Sequence, residues 1–135
     1  MKPVFVDTGG RFAAVARRDS AHPLAATFLR QWTGPLITTD YVLDETLTLI
    51  QAKIDHTTAV RLLDSLRSSP SVSIEFLTPA EVRRAWQLFR DRPDQGWSLT
   101  DCSSFVFMES RQLTHVLAFD RHFRQAGYLL VTDEP

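Results

Sequence analysis

Val4-Phe5-Val6-Asp7-Thr8-Gly9 decides the fold, together with its counterpart Val116-Leu117-Ala118-Phe119-Asp120 far along the chain. In both, a short apolar run stops at an aspartate, and a stretch with helical spacing follows. A run bounded in this way reads as a buried strand leading into a helix. Elsewhere the apolar period switches repeatedly between strand-like and helix-like, which makes the chain an α/β protein. Strands separated by helices pair in parallel through right-handed crossovers. Ligands of such sheets bind beyond the carboxyl ends of the strands, where the strand order reverses. If the strands at 3–6 and 115–119 are neighbours, Asp7 and Asp120 meet at that edge.

Working outward, helices fit 9–18, 22–32 and 40–53, with Gly34-Pro35 ending the second and a strand at 36–38 after it. Asp55 is a good N-cap for a helix carrying Val60, Leu62, Leu63 and Leu66. Val72, Ile74 and Phe76 alternate along one face of a strand. Thr78-Pro79-Ala80-Glu81 is a capping box with Pro at the first helical position, and its helix runs through Phe89. A loop at 92–96 leads to a helix from Ser98 to about Gln112. A short helix at 121–125, stopped by Gly127, precedes a last strand at 128–131. No repeat or linker interrupts this order, so 1–135 is expected to form a single domain.

Composition narrows the function classes. A formal net charge of -1 argues against a basic protein that coats nucleic acid. It leaves room for a nuclease, whose contacts are few and local. All basic residues except Lys2 and Lys53 are Arg. Arg suits bidentate phosphate contacts, although genome composition explains the same bias. The single cysteine, Cys102, rules out an internal disulfide and fits a reducing compartment; it reads as a small packing residue. The N-terminus is too short and too soon charged for a signal peptide. No apolar run approaches the ~20 residues that span a bilayer. A cytoplasmic protein is expected.

Four acids stand out. Asp7 and Asp120 follow strands, and each taken alone is more often a helix N-cap than a metal ligand. Asp101 lies three residues after Ser98, a capping pattern. Glu45 resists that reading because it sits well inside its helix. Val42 at i−3 and Leu49 at i+4 place it on an apolar stripe, with no Lys or Arg a turn away. A Glu facing the body of a protein needs a partner. Asp40 and Asp44 read as solvated. Jointly the four acids would repel one another by about 4 kcal/mol for each pair ~4 Å apart at an effective dielectric near 20. Either some stay protonated or a hard cation neutralises them. Oxygen donors favour Mg²⁺ or Mn²⁺ over Zn²⁺, and such sites suit hydrolysis of phosphodiesters by water. Of the four histidines, His122 lies nearest the proposed site and is assigned a structural or surface role.

The sequence resembles the PIN-domain ribonucleases, especially the VapC toxins of toxin–antitoxin pairs. Val4-Phe5-Val6-Asp7-Thr8-Gly9 is similar to their first acidic motif, and Thr39-Asp40-Tyr41-Val42-Leu43-Asp44-Glu45-Thr46 fits the second. Trp97-Ser98-Leu99-Thr100-Asp101-Cys102-Ser103-Ser104-Phe105 is similar to the third. Phe119-Asp120-Arg121-His122-Phe123-Arg124-Gln125-Ala126-Gly127-Tyr128 closely resembles the fourth. The resemblance implies a three-layer α/β/α fold with a mostly parallel sheet and a Mg²⁺- or Mn²⁺-dependent endoribonuclease. Asp7, Glu45, Asp101 and Asp120 would be its acidic quartet. Asp7, Asp101 and Asp120 would hold the ion directly or through water, and Glu45 would bind it or orient the attacking water. Thr8 or Ser98 would add a hydroxyl, and Arg11, Arg121 and Arg124 would touch phosphate. A homodimer and a cognate antitoxin partner are further implications. The neighbouring Gly9-Gly10 is expected to loosen the start of the first helix.

Rival readings come from other classes. Asp7-Thr8-Gly9 also resembles the triplet of retroviral-type aspartic proteases, but those are small all-β chains. A metal-dependent phosphatase would carry a second Asp two residues after Asp7, where Gly9 stands. A free-standing RNA-processing nuclease without an antitoxin, or a non-catalytic domain that binds RNA or protein, would keep the acids as ligands or as caps.

Overall fold

The computed structural model describes residues 1–133. Its strands are β1 (Val4–Val6), β2 (Leu36–Thr39), β3 (Val72–Glu75), β4 (His115–Leu117) and β5 (Leu129–Leu130). The helices are α1 (Thr8–Val15), α2 (His22–Gln31), α3 (Asp40–Lys53), α4 (His56–Ser68), α5 (Pro79–Asp91), α6 (Leu99–Ser110) and α7 (His122–Gln125). All strand pairs are parallel, in the order β3-β2-β1-β4-β5. The order reverses between β1 and β4, where Phe5 lies opposite Val116 and Val6 opposite Leu117.

Side chains alternate across the pleat, so each strand feeds two cores. Phe5, Ile37, Val116 and Leu130 pack with Val42 of α3, with Phe105, Phe107 and Met108 of α6, and with Phe123 of α7. Val4, Val6, Leu36 and Leu117 face the other way, against Phe28, Leu29 and Trp32 of α2. Helices therefore cover both faces, giving the expected α/β/α layers. This double burial is why the strands read as continuous apolar runs rather than alternating ones.

The caps behave as the sequence indicates. Asp55 Oδ1 accepts the Thr58 N–H at 2.7 Å. The Thr78–Glu81 box closes at 3.1 and 2.9 Å. Several expectations need correction. Helix α1 ends at Val15, because Ala16 is extended and Asp19 organises the following turn by accepting the Ala21 N–H at 2.9 Å. Phe76 lies beyond β3 and is exposed, since the chain already turns towards the α5 cap there. Asp40 is not merely solvated: its Oδ1 accepts the Leu77 N–H at 3.0 Å and ties α3 to that turn. Strand β4 stops at Leu117, which leaves Phe119 and Asp120 free to turn out of the sheet.

Gly10 does the opposite of loosening α1. A Cβ built there would lie 2.2 Å from the Leu117 carbonyl oxygen and 2.8 Å from its Cγ. Without a side chain at that position, α1 seats directly on β4. The same carbonyl accepts the Asp7 N–H at 3.1 Å. Gly9 has open space around its Cβ position.

Candidate metal centre

Four elements deliver acids to the reversal point. Asp7 follows β1, and its backbone is pinned to Leu117 of β4. Its side chain is buried and caps no helix. Burial pushes its carboxyl from 3.8 up to about 8; the negative charges of Asp120, Asp101 and Glu45 add to that, and the Thr8 amide opposes it. These three acids are the ones the sequence groups with Asp7, so the fold brings all four into electrostatic reach. Glu45 is half-buried on α3, one position before the buried Thr46. Asp101 is the third residue of α6, and Asp120 sits in the turn after β4.

Three side chains come closer still. One ligand atom each from Asp101, Asp120 and His122 lie within 4.8 Å of one another. The Asp101 Oδ2 accepts the Ser98 N–H at 3.0 Å and lies 2.9 Å from His122 Nδ1. An ionised carboxylate only accepts, so Nδ1 is the donor in this contact. The His122 N–H in turn donates to Asp120 Oδ1 at 2.9 Å, and His122 Nδ1 is 4.0 Å from that same oxygen. His122 therefore touches both acids. The Asp120-x-His122 spacing folds the imidazole back over the preceding acid.

The supporting residues divide. The Thr8 hydroxyl is buried without a hydrogen-bond partner. The Ser98 hydroxyl is used as a cap, accepting the Asp101 N–H at 3.0 Å, and its own amide holds Asp101. Arg11 lies one turn past Asp7, with burial lowering its pKa to about 10 and with Nη2 buried and unpartnered. Arg121 is exposed at the start of α7. Arg124 is exposed but paired with Asp133. Cys102 is fully buried beside Asp101, and burial raises its thiol to about 11, in keeping with a packing role.

The donor set fits a hard divalent cation. Buried polar atoms are ordinarily paired. The Thr8 hydroxyl, next in sequence to the buried Asp7, is such an unpaired buried oxygen. An acid that holds its proton to about pH 8 beside three other carboxyl groups is the arrangement a cation would relieve.

A parallel sheet with acids gathered at its reversal point, between helices on both faces, defines an α/β protein with a carboxylate centre. The sequence model of the PIN domain matches residues 4–128, and the chain belongs to that family. It is 29% identical over 131 residues to the 23S rRNA-specific endonuclease VapC20 of Mycobacterium tuberculosis, covering 97% of this chain and 99% of that one. It is 29% identical over 124 residues to a VapC ribonuclease of Archaeoglobus fulgidus, covering 87% and 77%. The crystal structure of M. tuberculosis VapC20, described as a Sarcin-Ricin loop cleaving toxin, superposes with a TM-score of 0.88 at 28% identity over 93% of this chain and 96% of that one. VapBC2 from Rickettsia felis shares the fold, with a TM-score of 0.68 at 11% identity over 96% and 97% of the two chains.

Proposed function

We propose that this chain, acting over 1–135 as one PIN-like domain, is a Mg²⁺- or Mn²⁺-dependent endoribonuclease that hydrolyses RNA phosphodiester bonds. It serves as the toxin of a toxin–antitoxin pair, working in the cytoplasm as a homodimer that a cognate antitoxin silences. The observation that carries this reading is the buried, uncapped carboxyl of Asp7 held at the β1–β4 reversal point with Asp101, Asp120 and Glu45 around it. The near full-length likeness to an endonuclease supports it. No helix among the described residues is long and apolar enough to cross a membrane.

In this reading Asp7, Asp101 and Asp120 hold the ion, and Glu45 orients the attacking water or adds a ligand. A bound divalent ion supplies charge neutralisation at the phosphate and a lowered water pKa. The chain's own task is orientation. The Ser98 and His122 amides each occupy one oxygen of a carboxylate, Asp101 Oδ2 and Asp120 Oδ1. The other oxygen of each has no hydrogen bond among the described residues. Thr8 contributes a hydroxyl beside Asp7. A groove of about 780 Å³ at the far ends of α1 and α3 carries Arg17, Arg18, Lys53 and Arg61 against Asp19.

Two measurements test the reading. Melting with millimolar Mn²⁺ is expected to show stabilisation, about 2.7 kcal/mol at 100 times the dissociation constant. Ribosomal RNA, the target named for the M. tuberculosis relative, is the first substrate to offer. Cleavage should need the metal and leave 5′-phosphate and 3′-hydroxyl ends. No metal-dependent shift together with no cleavage would leave the acids as caps and favour a non-catalytic domain. Normal cleavage with no silencing partner encoded nearby would favour a free-standing nuclease.

Arg11, Arg121 and Arg124 are assigned to phosphate contact. The exposed Arg124–Asp133 pair is of the kind worth little, so phosphate can displace the aspartate. Arg124→Ala should weaken RNA binding and lower the slope of log affinity against log salt by about 0.7. An unchanged slope removes Arg124 from the substrate path.

A further inference from the structure

We propose that the His122 imidazole is a nitrogen ligand of the divalent ion, and that the centre therefore takes Mn²⁺ in preference to Mg²⁺. The inference rests on the metal-dependent reading above and names the ion. An octahedral ion with bonds of about 2.1 Å places neighbouring donors about 3.0 Å apart and opposite donors about 4.2 Å apart. His122 Nδ1 lies 2.9 Å from Asp101 Oδ2 and 4.0 Å from Asp120 Oδ1. Nδ1 thus lies within donor spacing of an oxygen of each acid, and one ligand atom from each of the three residues falls within 4.8 Å of the others. In the metal-free protein a proton fills the Nδ1–Oδ2 gap. With an ion bound, His122 would offer its Nδ1 lone pair and carry its ring proton on Nε2.

The imidazole is pre-aimed. Its own backbone N–H holds Asp120 Oδ1, so ring and carboxylate move as a unit. Its side chain is only 26% exposed and faces the two acids. Mg²⁺ prefers oxygen donors and keeps its waters, whereas later first-row ions bind imidazole more readily and Mn²⁺ accepts both. A mixed nitrogen and oxygen set therefore separates the two ions where an all-carboxylate set would not. The other histidines are elsewhere: His22 Nδ1 contacts the Ala13 carbonyl at 2.8 Å, His56 is exposed at the start of α4, and His115 opens β4 at the opposite end from the acids.

Pulsed electron paramagnetic resonance of the Mn²⁺-loaded protein tests this directly. The expected result is a ¹⁴N coupling that becomes a ¹⁵N coupling when only the histidines are ¹⁵N-labelled, and that is absent in His122→Gln. In the same variant Mn²⁺ affinity should fall more than about tenfold while Mg²⁺ affinity changes less than about threefold, because only the ion that accepts imidazole loses a ligand. Mn²⁺ binding by the wild-type protein without histidine nitrogen coupling overturns the proposal and leaves the nuclease reading standing. So does equal weakening of both ions in the variant, which would make His122 a positioning residue for Asp101. No Mn²⁺ binding at all overturns both readings.

Discussion

Asp7→Asn is expected to abolish RNA cleavage, with a loss of at least about a thousandfold, while making the metal-free protein more stable than the wild type near neutral pH. The activity loss follows from removing a charged oxygen donor at the buried end of the proposed metal site. The stability gain follows from linkage. The Asp7 carboxyl has an ordinary value of 3.8 and is pushed to about 8 in the fold, first by burial and then by its three acidic neighbours. Between these values the folded state keeps a proton that the unfolded chain has released. The folded state therefore loses stability as pH rises from about 4 to about 8. Asn cannot ionise and is spared that loss. At pH 7 the advantage has a ceiling of about 4 kcal/mol, and water entering the cleft brings the observed gain below it. Below pH 4 the two proteins should melt alike. Adding metal should invert the order, because only the wild type gains from the ion. Urea unfolding of both proteins across this pH range checks the sign. A variant less stable than wild type at pH 7 without metal would contradict the burial argument, and one that cleaves RNA at the wild-type rate would remove Asp7 from the mechanism.

Gly10→Ala should be the more damaging of two otherwise identical substitutions. The added methyl would meet the Leu117 carbonyl oxygen at 2.2 Å, and neither α1 nor β4 can yield without moving the other. Overpacking of this kind costs about 1–3 kcal/mol. The displaced carbonyl is also the one that holds the Asp7 amide, so activity should fall further than stability alone explains. Gly9→Ala meets nothing and reduces the freedom of the unfolded chain, so it should be neutral or stabilising by up to about 1 kcal/mol. Equal melting midpoints for the two variants would show that α1 does not depend on its close seat on β4.

The double character of the acids explains how much of the site could be read in advance. Asp101 reads in sequence as half of a capping box, and in the fold it is one: the Ser98 and Asp101 bonds close at 3.0 Å each. Asp120 is likewise engaged by the His122 amide. An amide uses one lone pair of a carboxylate, so the plain reading and the metal reading do not compete. Local spacing cannot separate them, because the remaining lone pairs are aimed by the meeting of β4, α6 and α7. Asp7 is the exception. It has the sequence context of a cap but forms no side-chain cap bond, and its burial comes from neighbours that lie far away in the chain.

The sequence by itself determined the order of strands and helices, the apolar runs that must be buried on two faces, the caps, and the acids at the ends of β1 and β4. These depend on local propensity and period, which adjacent residues carry. Only the tertiary structure decided that β1 and β4 are neighbours, that Gly10 is a contact rather than a weak point, and that His122 lies between Asp101 and Asp120. Those facts depend on which distant segments pack together, and burial of charge beside charge arises only once they have done so.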